Sequence, residues 1–300
     1  MASHERAAIF AELTPSFTVY APVEQRAAVV FCSPHSGRVY PRRFLELSRL
    51  DAHALRKSED CFVDELFMPA AAAGAPLIAA RFPRAYLDVN REPYELDPEL
   101  VFDALPEYAN TQSVRVAGGL GTVARIVADG EEIYRAPLAL AAVMERIDGL
   151  YRPFHAALAE LMEQTRRRFG YAVLIDCHSM PSVSLTQTSG PRPDFVLGDR
   201  FGAACDASLT RIAKEALTGL GYDVHLNRPY AGGYITEHYG RPVRRMHALQ
   251  IEINRGLYLD EVRLEKKTPG FETLQSNLEA LAHRLFLELP QVFEPRAAAE

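Results

Sequence analysis

VVFCSPHSG at residues 29–37, AVLIDCHSM at 172–180 and MHALQIEINR at 246–255 decide how this chain folds. The first two are apolar runs that each stop at a histidine followed by serine. The third carries Gln250, Glu252 and Asn254 at alternate positions, opposite Leu249, Ile251 and Ile253. Polar groups at the ends of buried strands need partners, because burying them unpaired is costly. The economical explanation is a site where three strand ends converge around a metal ion.

Working outward, strand and helix alternate. Strands are expected at Ala27–Ser33, Pro76–Phe82, Ala85–Asn90, Ala172–Cys177, Phe195–Leu197, Asp223–Leu226 and His247–Ile253. Helices are expected in a segment ending near Ala73, within Tyr134–Phe169, and at Asp206–Leu220 and Thr273–Leu289. In the second of these, Leu150, Phe154, Leu158 and Leu161 recur at helical spacing, and Gly170 provides a stop. Strands rich in Val, Ile and Leu with helices between them predict an α/β protein. Its sheet should be mixed, mostly parallel and sandwiched by helices in three layers. Glu92–Thr122, with its AGGLG, and Asn227–Arg245 read as long surface loops, where α/β enzymes keep their sites. No repeat or linker interrupts the chain, so residues 1–300 are read as one domain.

Composition narrows the function. A hydrophobic content of 48% supports a substantial core, and a net charge of −6 without a basic run gives nucleic acid no footprint. The triplet Arg166–Arg168 suits the C-terminal end of a helix. The N-terminus, MASHERAAIFAEL, lacks the layout of a signal peptide. The longest apolar stretch, residues 68–80, is too short to span a bilayer, so no membrane role is expected. Cys32, Cys61, Cys177 and Cys205 form no CxxC and no disulfide pattern, which suits a reducing cytoplasm.

Strand periodicity sorts the chemistry. Asp176 and His178 share a face while Cys177 points away, so Cys177 and His178 are poor thiolate–imidazole partners. Asp88 and Asn90 share a face if that segment is a strand. Isolated histidines such as His53, His155 and His283 are read as structural. His35 and His178 differ, since each sits at a strand end beside small residues that leave room for a ligand. A catalytic zinc needs three protein ligands and an open position, and SEDCFVDEL at 58–66 supplies carboxylates. Asp60 and Asp64 stand one helical turn apart, and Asp60 alternatively reads as a helix N-cap.

With HSG at 35–37, SED at 58–60, DVNR at 88–91, DCHS at 176–179, GGYIT at 232–236 and QIEIN at 250–254, the chain resembles the N-formylglutamate amidohydrolase family. Each motif is weak alone; six in order, over roughly residues 29–261, are strong. The resemblance implies a fold like that of zinc carboxypeptidases and a Zn²⁺ cofactor held by His35, Asp60 and His178, with Glu252 as general acid/base. It departs from zinc carboxypeptidases in one respect. Their first ligand pair is HxxE, whereas Ser36, Gly37 and Arg38 follow His35 here. The acidic ligand must therefore come from a later segment, with Glu59 and Asp64 as alternates to Asp60.

Asn90–Arg91 resembles the pair with which carboxypeptidases grip a substrate's terminal carboxylate, a task that suits the planar fork of arginine. The expected substrate is a small N-acyl amino acid, most simply N-formylglutamate. Ser36 and Tyr234 are added as substrate contacts, and Arg84 or Arg125 as the oxyanion cation. Tyr234, after Gly232–Gly233, could close over the substrate. A dicarboxylate needs a second cation, for which Arg241, Arg244 and Arg255 are candidates. The alternatives are another N-acyl or carboxypeptidase-like activity, nucleophilic catalysis by Cys32 with His178, or a non-catalytic binder. The oligomeric state is not legible in the sequence.

Overall fold

Seven strands pair into one mixed sheet: β1 (Phe17–Tyr20), β2 (Val29–Ser33), β3 (Leu77–Ala80), β4 (Ala172–Met180), β5 (Phe195–Gly198), β6 (Val224–Leu226) and β7 (Met246–Asn254). Their spatial order is β1-β3-β2-β4-β7-β5-β6, and β8 (Leu259–Asp260) and β9 (Glu265–Lys266) form a separate ribbon. The structure is a computed structural model describing residues 4–127, 130–183 and 193–293. Ten α-helices occur among those residues. They are α1 (His4–Glu12), α2 (Arg42–Leu47), α3 (Ala52–Arg56), α4 (Val63–Ala72), α5 (Val114–Ala117), α6 (Leu140–Arg146), α7 (Arg152–Phe169), α8 (Ala207–Gly219), α9 (Tyr234–Tyr239) and α10 (Thr268–Phe293). None is long and apolar enough to cross a membrane.

The chain divides into two compact units built from interleaved segments. One comprises Val19–Cys32, Phe62–Ile78 and Ala159–Glu300. Here β2 runs parallel to β4, β4 parallel to β7, β5 antiparallel to β7, and β6 parallel to β5. Every residue of β2 and β4 is buried, as expected for parallel strands covered on both faces. The register confirms the two faces. Phe31 lies beside Ile175 and meets Phe67 of α4 with ring centroids 5.6 Å apart. Asp176, one residue on, faces the other way and is bonded by Thr236 of α9. Helices therefore cover both faces, making three layers.

The other unit comprises Met1–Thr18, Ser33–Cys61 and Ala79–Leu158. It is held around a buried ion pair, Arg146 Nε to Glu5 Oε1 at 2.6 Å. Tyr86 donates to the same Glu5 oxygen at 2.5 Å, Arg146 donates to Tyr134 Oη at 2.6 Å, and its guanidinium lies 4.0 Å from the Tyr86 ring centroid. Burial and the neighbouring Glu5 both push the Tyr86 phenol up, against the lowering influence of Arg146.

Several expectations need correction. Ala85–Asn90 forms turns rather than a strand, because Pro83 starts a turn whose carbonyl accepts from Tyr86 and Leu87 N–H. The helix expected within Tyr134–Phe169 is α6 and α7 joined by a π-helical turn at Ile147–Tyr151. Gly170 ends α7 with φ +79°. The Asn227–Arg245 segment, expected as a loop, contains α9, whose N-cap is Gly233 and whose first residue is Tyr234. The expected elements also do not include β1, β8, β9, α1, α2, α3 or α5, and α5 lies within the Glu92–Thr122 segment expected as a loop.

Candidate active site

The two histidine strand ends are built alike. The chain leaves β2 for β3 on one flank and returns as β4 on the other, and such reversals open a crevice at the carboxyl ends of strands. His35 follows β2 by two residues, and His178 lies near the end of β4. His35 Nε2 lies 2.7 Å from Asp88 Oδ1, and His178 Nε2 lies 2.9 Å from Asp176 Oδ1. A carboxylate on one ring nitrogen fixes orientation and directs the other nitrogen, Nδ1, toward a metal.

Asp60 is placed by backbone. Its N–H donates to the His35 carbonyl at 3.0 Å, and its Oδ2 stands 3.3 Å from His35 Nδ1. It is not a helix cap: α4 begins at Val63, its N-cap is Phe62 and no side chain caps it. Asp60 and Asp64 therefore do not share a helical face. Glu59 is occupied elsewhere, accepting from Tyr40 Oη at 2.5 Å and Arg56 Nε at 3.2 Å.

His35, Asp60 and His178 are all buried, and their ligand atoms lie within 4.8 Å of one another. This group can hold a metal ion. Ligands about 2.0–2.1 Å from a tetrahedral zinc stand roughly 3.3 Å apart, which the His35–Asp60 separation of 3.3 Å matches. The donor set, two imidazoles and one carboxylate, also suits zinc.

Asp88 organises the neighbouring cations. Oδ1 also accepts from Asn90 N–H at 2.8 Å, while Oδ2 accepts from Arg84 Nη2 at 2.9 Å and lies 3.7 Å from Arg91 Nη2. Burial alone would raise the Asp88 carboxyl, but His35, Arg91 and Arg84 outweigh it and hold it well below the ordinary range. Arg91 is largely buried and donates to the Leu120 and Asn90 carbonyls at 2.9 and 3.0 Å. Arg125 is committed differently, to Asp97 and Glu99, each at 2.8 Å, and to Glu132 at 3.8 Å. Ser36 is buried against the Ser33 hydroxyl. The HSG turn admits no side chain at Gly37, where a Cβ would meet the Phe82 carbonyl oxygen at 2.0 Å.

On β7, Glu252 pairs with His178 in the β4 register and Gln250 pairs with Asp176. All four are buried. Gln250 Nε2 donates to Glu252 Oε1 at 2.9 Å. Tyr234 stands at the first position of α9, its hydroxyl 3.2 Å from His238 Nδ1. Of the arginines left open for a second carboxylate, Arg241 and Arg244 are exposed, whereas Arg255 is buried and donates to Ser179 Oγ at 3.1 Å, beside His178. His155, expected to be structural, bonds the Val89 carbonyl at 2.9 Å.

Cys32 and Cys177 are fully buried. Burial first, then Asp176, pushes both thiols well above their ordinary value, the opposite of what a nucleophile requires.

The sequence reading missed the orienting carboxylates. Asp176 was legible from its shared face with His178. The Asp88–His35 pair spans 53 residues and left no local signal.

The sequence profile of the N-formylglutamate amidohydrolase family matches residues 27–259. The N-formylglutamate deformylase of Pseudomonas aeruginosa is 32% identical over 240 residues, covering 79% of this chain and 84% of that protein. The crystal structure of N-formylglutamate amidohydrolase from Ralstonia eutropha JMP134 superimposes with a TM-score of 0.87 at 36% identity, covering 92% of this chain and 99% of that one. A gene product of Agrobacterium tumefaciens shares the fold at 18% identity, with a TM-score of 0.65, covering 90% of this chain and 94% of that one. On the profile match and the identity to these relatives, the chain belongs to the N-formylglutamate amidohydrolase family.

Proposed function

We propose that this protein is a zinc-dependent amidohydrolase that removes the formyl group from N-formylglutamate, releasing formate and glutamate. The observation that carries the reading is the buried His35–Asp60–His178 group, with Glu252 beside His178 in the strand register. The names of the similar enzymes supply the substrate.

His35, Asp60 and His178 would hold the zinc, and Asp88 and Asp176 would fix the two imidazoles. When bound, the metal supplies Lewis acidity, which acidifies water and polarises the formyl carbonyl. Glu252 accepts a proton from the attacking water and passes it to the departing amine nitrogen. Arg91, with Asn90, grips the α-carboxylate in a planar fork, while Ser36 and Tyr234 contact the rest of the substrate. Arg84 is the preferred cation for the developing oxyanion, because the Asp88 carboxylate it bonds also holds His35, whereas the partners of Arg125 are Asp97, Glu99 and Glu132. The cytoplasm is the proposed location.

Formate release from N-formylglutamate, measured with metal content, tests the reading. Wild type should carry one zinc per chain. Glu252→Gln should keep that metal while turnover falls by roughly 10² or more. Near-normal turnover in the variant, or no stoichiometric metal in wild type after zinc supplementation, overturns it.

A further inference from the structure

Two hydrogen-bonded links join the first turn of α9 to the proposed catalytic groups, one through Gln250 to Glu252 and one through Thr236 to Asp176 and His178. Gln250 Nε2 donates to Glu252 Oε1 at 2.9 Å, and Gln250 Oε1 accepts from Gly233 N–H at 2.8 Å. Thr236 Oγ1 lies 3.5 Å from the same Gln250 oxygen and donates to Asp176 Oδ2 at 3.0 Å. Asp176 Oδ1 in turn meets His178 Nε2 at 2.9 Å. Gly233 is the N-cap of α9, and Thr236 lies within its first turn. Gln250 is 3% exposed, and Thr236 and Asp176 are fully buried.

We propose that Gln250 is a positioning residue for Glu252, and that Thr236 and Gln250 together tie the first turn of α9 to both the proton-transfer carboxylate and His178. The proposal rests on the assignment of proton transfer to Glu252. A glutamate side chain on a strand has three rotatable bonds, and a reacting group misplaced by about 1 Å can cost roughly 10²-fold in rate. Residues 250 and 252 share a face, so the longer amide can reach along the strand and pin one carboxylate oxygen. The task requires glutamine chemically. Its amide offers a donor to the carboxylate and an acceptor to the Gly233 N–H, so the helix turn orients the amide and the amide orients the base. A glutamate here would lack the donor, and a methionine would lack both groups. Because Tyr234 opens the same turn, a substrate that shifts α9 would shift Glu252 and His178 with it.

The test is Gln250→Met in wild-type and Glu252→Gln backgrounds, with kcat, KM and zinc content measured for each. In the wild-type background kcat should fall roughly 10- to 100-fold, KM should change less than about threefold, and zinc should be retained. In the Glu252→Gln background the same substitution should change kcat less than about threefold, since the group through which Gln250 acts is already gone. An equal loss in both backgrounds, or no loss in wild type, overturns the proposal while leaving the function intact. Near-normal turnover of Glu252→Gln alone removes the base assignment and the proposal together. Should Gln250→Met not fold, Thr236→Val and Thr236→Ser decide. Loss of kcat in the valine variant with rescue by serine supports the tie of α9 to His178 through Asp176, and equal kcat in the two overturns it.

Discussion

His35 and Asp88 are 53 residues apart in sequence and 2.7 Å apart at Nε2 and Oδ1. That contact fixes the imidazole ring and leaves Nδ1 directed to Asp60. A partner of this kind typically changes metal affinity by about 10- to 100-fold. Asp88→Ala should therefore weaken zinc binding by about that factor, measured by competition with a chelator. Unchanged affinity would show that Asp88 serves only the arginines.

Specificity follows from charge. A site that pairs a buried charged group rejects analogues lacking it, because its own cation is then left desolvated. N-formylglutamate should exceed N-formylleucine in kcat/KM by roughly 10³ or more. Arg91→Ala should weaken all substrates bearing an α-carboxylate alike. Equal rates on the two substrates would sink the glutamate assignment and leave the hydrolase standing.

The cysteines should be silent. Burial holds the Cys32 and Cys177 thiols far from ionisation. The native protein should therefore resist iodoacetamide near neutral pH, and Cys32→Ser should keep full formate release. Rapid alkylation of Cys32 with loss of activity would revive the nucleophile reading.

The readable parts of this protein were those where periodicity and chemistry coincide. β2 and β4 announce themselves as apolar runs with a histidine at or just past the end, and alternation on β7 sets Gln250, Glu252 and Asn254 on one face. The same logic failed at residues 85–90. Asp88 and Asn90 do work together, but through a turn in which Asn90 N–H bonds the Asp88 side chain. α9 was hidden because glycines flank its six residues on both sides, a composition that normally marks a loop. β1, four residues before a proline-containing stretch, is too short for alternation to register.

Stability can be tested far from the chemistry. Removing one partner of a buried ion pair costs about 3–5 kcal/mol. Glu5→Ala, which strands Arg146, should lower the unfolding free energy by that amount in urea titrations. A loss below about 1 kcal/mol would place the pair among the weak surface bridges.

Acid should unfold the protein partly through His247. Its Nδ1 accepts from the Asp206 N–H at 3.2 Å, and its ring stacks on Phe293 with centroids 4.3 Å apart. Burial, with Arg245 adding, pushes its pKa below the ordinary value, despite an opposing pull from Asp206. A folded value below the unfolded one means the unfolded chain takes up the proton first. The contribution is therefore complete above about pH 6.5 and is lost as pH falls through the folded value. Urea unfolding at about pH 7.5 and about pH 5.5 should show a smaller loss for His247→Gln than for wild type. Identical losses would assign the acid sensitivity to other groups.

The pairing of His178 with Glu252 also governs how this protein can change over time. Side chains on a strand alternate, so deleting one residue between Met246 and Gln250 would bring Ile253 to the place of Glu252 and turn the polar row toward the apolar layer. Substitution within β7 loses one contact at a time, whereas a frame slip loses the whole row at once. A library of single-residue deletions should therefore yield survivors in surface loops such as residues 103–112 and none within 246–252, whatever residue is removed.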